Sequence, residues 1–261
     1  MGTLDGKVAI CAGGATNMGA ETARLMAKEG ARVVLADLNI KGAEAVASEI
    51  REAGGDAAAF KMDISSEADV KAMVEFTLEK YGGVDVLYNS VAAIGAIDKS
   101  IGIDYGNDIV TLDLEVYDHT MAVNLRGYIL TIRAVVPEML KRGGGSIINT
   151  SSIASMAGGP SGHAYAISKA GVNSLTTAIA AAYGPKKIRC NAIVPGGIMR
   201  TGNIDTSRAP VVPTDDKPGP SLGTPGDIAN LVVFLASDET AGYINGQLIR
   251  IDGGPAGRGP V

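Results

Sequence analysis

The chain has 261 residues, 46% of them hydrophobic, with no tryptophan and a formal net charge of −5. That length can bury a substantial core and fits one large domain. An acidic chain without a run of basic residues argues against nucleic-acid or anionic-membrane partners, which recruit a basic face. The opening residues lack a basic segment followed by a long apolar one, so no secretory signal is read and a cytoplasmic location is expected. No stretch approaches the ~18 continuous apolar residues of a membrane span. Cys11 and Cys190 each lie in an apolar strand-like run. They read as buried free thiols of a reducing compartment, and their spacing offers no metal site.

Taken from the N-terminus, the first unit is a strand, a glycine-bearing turn and a helix: "KVAI", "CAGGATNMGAE" and then "ETARLMAKEG". In that context a Gly-rich turn can hold a phosphate. Gly13 and Gly19 permit the tight bend, and main-chain N–H groups at the positive end of the helix dipole hold the pyrophosphate. Asn17 stands where such loops often carry glycine, and asparagine is the non-glycine residue that best tolerates left-handed φ. The second strand, "RVVLAD", ends in Asp37, about 20 residues after the turn, where a carboxylate can accept hydrogen bonds from both adenosine ribose hydroxyls. It would repel a 2′-phosphate, and no Arg or Lys occupies the turn or position 38. The expected cofactor is NAD.

Strand-like runs follow at 57–61, 84–89, 146–151, 188–194 and 247–251, after those at 7–12 and 32–36. They are near-continuously apolar, as parallel strands covered on both faces are. Between them, Val70, Met73, Val74 and Leu78, and later Ile228, Leu231, Val232 and Leu235, each form one apolar helical stripe. The alternation predicts an α/β fold: a doubly wound parallel (Rossmann) sheet of about seven strands, helices on both faces, in a single domain over 1–261. Segments 92–113 and 202–223 are long for compact-domain loops and follow strands, so they are expected to wall a cleft at the carboxyl end of the sheet.

The sharpest chemical signal is "SSIASMAGGPSGHAYAISKAG". Tyr165 and Lys169 are four apart on a helix expected to start near Ser161, and so share a face. An ammonium beside a phenol favours phenolate, which makes the tyrosine a general acid/base for the proton of a secondary alcohol. Ser152 precedes them at a strand end. His163, two residues before Tyr165, reads as a helix-entry or interface residue rather than a second acid/base.

With these residues in view the chain resembles the short-chain dehydrogenase/reductase family nearly end to end. The family's glycine turn corresponds to Gly13, Asn17 and Gly19, and its NAD-selecting acid to Asp37. Its adenine-contacting Asp corresponds to Asp63 in "MDIS", and its "NNAG" element to the stretch from Asn89 to Ala92. Asn124 in "MAVNLRG" fits its proton-relay asparagine, and Ser152, Tyr165 and Lys169 fit its catalytic residues. Pro195, Gly196 and Thr201 in "PGGIMRT" fit the turn that meets nicotinamide. Met18, Leu38, Ile64 and Ile198, beside these positions, complete the implied cofactor contacts. The resemblance implies that Ser152 holds the substrate oxygen, Tyr165 exchanges its proton, Lys169 tunes Tyr165 and grips the nicotinamide ribose, and Asn124 holds a relay water. It also implies a homotetramer, packed through helices near 113–140 and 161–183. Two departures stand out: Ala12 replaces the family's usual Thr, and Ser90, Val91 and Ala92 replace its small amide-bearing stretch.

The expected activity is interconversion of a secondary alcohol and a ketone. Ile94, Ile97, Ile101, Ile103 and Tyr105 suggest a bulky apolar cyclic or aromatic substrate, steroid- or terpenoid-like. The alternatives are a sugar or polyol, a 3-hydroxyacyl thioester, or a non-catalytic NAD-sensing protein. An extended-type epimerase or dehydratase would need a C-terminal domain after "DGG", where only a few residues remain.

Overall fold

A computed structural model describes residues 2–93, 108–157, 162–199 and 222–254. The strands are β1 (Val8–Ala12), β2 (Arg32–Asp37), β3 (Asp56–Lys61), β4 (Val86–Asn89), β5 (Gly145–Thr150), β6 (Ile188–Pro195) and β7 (Leu248–Ile251). They form one seven-stranded sheet in the order β3-β2-β1-β4-β5-β6-β7, with every neighbouring pair parallel. All seven apolar runs of the sequence are therefore strands, within one or two residues of their expected limits.

The helices are α1 (Asn17–Lys28), α2 (Ile40–Glu52), α3 (Glu67–Tyr81), α4 (Leu114–Met121), α5 (Gly127–Arg142), α6 (His163–Tyr183), α7 (Pro225–Ala236) and the short α8 (Asp238–Ala241). Because successive strand side chains point to opposite faces, β1 splits its five buried residues between two cores. Ala9 and Cys11 pack with Met26 of α1, Val46 of α2 and Val232 of α7. Val8, Ile10 and Ala12 pack with Met73 of α3, Val135 of α5 and Val172 of α6. The stripes read from the sequence on α3 and α7 are the faces that close these cores. The fold is the expected doubly wound single domain.

Between α4 and α5 the helix widens into one π-helical turn, Ala122–Arg126. No periodicity in the sequence predicts this, and such turns recur at functional sites. The strand order reverses between β1 and β4, which places the topological switch point beside the turn after β1. Helix α6 starts at His163 rather than near Ser161, behind Gly162, whose φ of 74° is left-handed. Most of 92–113 and 202–223, the expected cleft walls, lies outside the described residues.

Candidate active site

The turn after β1 is as tight as its glycines suggest. A Cβ on Gly19 would sit 1.9 Å from the Gly13 carbonyl oxygen, and one on Gly13 would sit 2.9 Å from the main chain of Ser90 after β4. Asn17 has φ of 52°, the left-handed conformation for which asparagine is suited. The side chains of Asn39, Ser66, Asp113 and Thr224 cap α2, α3, α4 and α7, whereas Thr16 makes no such bond at α1. The Thr16 side chain thus does not cap the start of α1, which suits an anion-binding helix start. Met18 is half-buried and packs on the core below.

Asp37 closes β2 beside this turn. Its Oδ2 accepts from the Ala15 N–H at 3.0 Å and its Oδ1 from the Asn39 N–H at 2.8 Å, which fixes the carboxylate with lone pairs left over. Leu38 next to it is exposed. One feature was hidden in the sequence: Lys61, at the end of β3, stands in register with Asp37. Lys41 is the nearest cation in sequence, and only strand pairing brings Lys61 close. Asp63 accepts from the N–H and hydroxyl of Ser65, and Ile64 is buried against Gly127.

Asn89 is fully buried at the end of β4. It donates to Asn149 at 3.0 Å and accepts from Thr131 at 2.9 Å, while Asn149 donates to Thr176. This buried polar chain ties β4, β5, α5 and α6 together under the cleft. Asn124 lies in the π turn, also fully buried. Its Oδ1 accepts from the Ala93 N–H at 2.7 Å, and its Nδ2 donates to the Ala93 carbonyl at 2.8 Å and to Ser168 at 3.1 Å. Both amide donors are thus spent on Ala93 and Ser168, and the amide oxygen holds the chain after β4.

Ser152 follows β5 and starts a 3-10 turn, Ile153–Ser155; its Oγ accepts from the Ala154 N–H at 3.2 Å. With that acceptor role filled, its hydroxyl proton is the group it can offer to a substrate oxygen. Lys169 is 0% exposed, and its Nζ donates to the Thr150 carbonyl at 2.8 Å. The same nitrogen lies 5.7 Å from the Tyr165 ring centroid and 5.2 Å from that of Tyr128. Burial pulls the Lys169 pKa down from its ordinary 10.5 to about 7. Tyr128, whose hydroxyl donates to the Val91 carbonyl, has its own pKa raised by burial first and by Tyr88 and Tyr165 next. Neither Tyr128 nor Thr150 carries a sequence signal, beyond Tyr128 standing four residues after Asn124.

Pro195 ends β6. Gly196 donates to the Ile251 carbonyl at 3.0 Å, and a Cβ there would lie 2.8 Å from Asp252 Cβ, so the bend admits only glycine. Ile198 bridges to Gly223. Thr201 lies outside the described residues. Cys11 and Cys190 are buried free thiols. Among the described residues no His, Cys, Asp or Glu cluster is placed to hold a metal ion, and no helix is long and apolar enough to cross a membrane.

A family profile described as enoyl-(acyl carrier protein) reductase matches residues 13–255. The chain is 34% identical over 256 residues to 7alpha-hydroxysteroid dehydrogenase of Bacteroides fragilis, covering 97% of this chain and 96% of that protein. It is 38% identical over 253 residues to 2,5-dichloro-2,5-cyclohexadiene-1,4-diol dehydrogenase of Sphingobium indicum, covering 96% of each. It is also 38% identical over 257 residues to a probable short-chain type dehydrogenase/reductase of Bradyrhizobium diazoefficiens, covering 97% and 89%. The chain belongs to the short-chain dehydrogenase/reductase family. It is therefore an oxidoreductase, of a family whose members typically use a nicotinamide cofactor and act on CH–OH groups.

Proposed function

We propose that this short-chain dehydrogenase/reductase is an NAD-dependent enzyme interconverting a secondary alcohol and a ketone in the cleft at the carboxyl end of the sheet. The observation that carries the reading is the fully buried Lys169 between Thr150, Tyr128 and Tyr165, on the helix face that also carries Tyr165. Burying a lysine ammonium is unfavourable unless it is paired and hydrogen-bonded, and a perturbed amine in a cleft marks a candidate acid/base site.

The residues at the switch point fit a dinucleotide. The first-turn N–H groups of α1, with Gly13, Asn17, Met18 and Gly19, would hold the pyrophosphate. Asp37 and Leu38 would meet the adenosine ribose, Asp63 and Ile64 the adenine, and the Asn89 main chain the middle of the cofactor. Lys169, Pro195, Gly196, Ile198 and Thr201 would hold the nicotinamide half. When bound, the cofactor accepts or supplies the hydride at the carbinol carbon.

Ser152 donates its hydroxyl proton to the substrate oxygen, and Tyr165 takes that oxygen's proton in oxidation or returns it in reduction. The low pKa of Lys169 refines the picture of a permanent ammonium. In its charged form Lys169, close to the Tyr165 ring, favours phenolate on Tyr165, which takes the alcohol's proton. Alcohol oxidation therefore rises with pH. Asn124 would hold a relay water.

The substrate in this reading is a bulky, mostly apolar ring alcohol. Met156 after the Ser152 turn, Met199 after the Pro195 turn, and Leu114 and Leu222 are large apolar side chains left exposed. A polyol site would bury polar groups needing a partner for each hydroxyl, at about 1–3 kcal/mol for each one unmatched. Two relatives are named for ring alcohols, a 7α-hydroxysteroid and a cyclohexadienediol. The isoleucines at 94, 97, 101 and 103 and Tyr105 lie outside the described residues. Comparing kcat/KM for 1-indanol, cyclohexanol and a 7α-hydroxysteroid against polyols and a 3-hydroxyacyl thioester tests this. Preference for a polar class would overturn the substrate while leaving the dehydrogenase reading standing.

The same reading has a cytoplasmic homotetramer. A groove of about 400 Å³ runs along α5 and α6, lined by Ile129, Val136, Leu140, Leu175, Ile179 and Tyr183. These are the helices expected to meet their symmetry mates, and the small residues of α6 permit close approach.

A further inference from the structure

Below Ser152 lies a chain of hydrogen bonds that the reaction described above does not use. The Ser155 hydroxyl donates to the Ser152 carbonyl at 2.6 Å, and Asn173 Nδ2 donates to Ser155 Oγ at 2.8 Å. Ser151 Oγ lies 3.2 Å from Ser155 Oγ and donates at 3.2 Å to the carbonyl of Lys169. Asn173 stands four residues after Lys169 on α6, so Tyr165, Lys169 and Asn173 form one stripe along the helix.

The polarity of this chain is determined. A serine hydroxyl has one proton, and Ser155 spends it on Ser152. Without a second donor, that hydroxyl could turn towards Ser151. The Asn173 amide donates into one of the two lone pairs of Ser155 Oγ, which favours the orientation with the Ser155 proton on the Ser152 carbonyl. The other half of the amide tells against a purely structural role. Among the described residues, Asn173 Oδ1 is buried with no hydrogen-bond partner. A buried polar atom in that state is unfavourable, and an apolar side chain of similar size would pack there without it. An uncompensated group of this kind calls for an explanation, and a role at the adjacent Ser152 turn supplies one.

We propose that Asn173 and Ser155 are positioning residues that lock the Ser152 turn against the Tyr165–Lys169 face of α6, so that the Ser152 hydroxyl is aimed before substrate arrives. This rests on the reading of Ser152 as the residue that holds the substrate oxygen. The clamp acts on the aim of a donor and not on the cofactor site, so its loss reduces kcat and leaves NAD affinity alone.

The test is a set of variants of the full chain: Asn173→Leu, Asn173→Ala, Ser155→Ala, the double Asn173→Leu/Ser155→Ala, and Ser152→Ala as reference. Each is assayed with NAD and whichever of 1-indanol, cyclohexanol and a 7α-hydroxysteroid the wild type oxidises fastest. Asn173→Leu and Ser155→Ala should each lower kcat about tenfold, and the double variant no further than the larger single effect. The dissociation constant of NAD, read by fluorescence, should be unchanged, and the melting temperature of Asn173→Leu should equal or exceed the wild type. Activity and stability then move apart, which a packing role cannot produce. A kcat within about twofold of wild type in Asn173→Leu, or effects that multiply in the double variant, would overturn the clamp. Asn173→Ala gives the same reading should the leucine variant fail to fold. Full activity in Ser152→Ala would overturn the reading beneath it, a result distinct from failure of the clamp alone. If none of the three alcohols turns over, a crystal structure of Asn173→Leu decides: the Ser155 hydroxyl should leave the Ser152 carbonyl, and an unchanged turn would refute the proposal.

Discussion

Replacing Lys169 by methionine should abolish activity and stabilise the protein, and the gain should depend on pH. Lys169 is 0% exposed, and burial lowers its pKa from 10.5 to about 7. At about 1.36 kcal/mol for each pH unit between those values, holding the charged amine in the folded chain costs about 5 kcal/mol. The sign follows from where the proton resides. Below pH about 7 the folded and unfolded chains both carry it and the folded one bears the whole cost; above 10.5 neither does and the cost vanishes. Methionine removes the cost but leaves the Thr150 carbonyl without its 2.8 Å donor, an offset of about 1–3 kcal/mol. The net gain near pH 6 is about 2–4 kcal/mol, or about 4–8 °C in Tm for a chain of this length. Thermal melts of the two proteins across pH 6 to 10 measure it, since the titrations of groups away from residue 169 are common to both and cancel in the difference. The difference should shrink as pH rises, and kcat for alcohol oxidation should fall at least about 100-fold. A variant less stable at every pH, or a gain independent of pH, would refute the account of Lys169 as a destabilising group kept for chemistry.

Two further outcomes follow from the same geometry. NAD should exceed NADP at least about tenfold in kcat/KM, a difference of about 1.4 kcal/mol, and Asp37→Ala should erase most of the preference; equal efficiency in the wild type would overturn the reading of Asp37 as the NAD-selecting acid. Light scattering at micromolar concentration should give a tetramer, and Leu140→Lys in the α5–α6 groove should split it into smaller species; a monomeric wild type would remove the groove from the account.

The parts legible in the sequence are those encoded locally. The strands were visible because parallel strands covered on both faces are apolar at most positions, and β1 with "VAICA" is buried throughout. Gly13, Asn17 and Gly19 were legible because few residues adopt the backbone that the turn imposes. What was hidden depends on contacts distant in sequence. Nothing near Lys169 reveals that it is fully buried, so its low pKa could not be read. The hydrogen bonds that spend the Asn124 amide on Ala93 cross 31 positions. The register that brings Lys61 to Asp37 is set by strand pairing, and the π turn around Asn124 has no local periodicity to announce it. Asn173 carries no motif at all; only its place beside Ser155 gives it meaning.

The most direct test of the central claim is formation of NADH from NAD and a cyclic secondary alcohol by the wild type and by Tyr165→Phe. Removing one hydroxyl deletes the proton path and no phosphate contact, so the account predicts NADH from the wild type alone, a loss of at least about 100-fold in the variant, and NAD binding within about threefold in both. Equal turnover by the two proteins would contradict it.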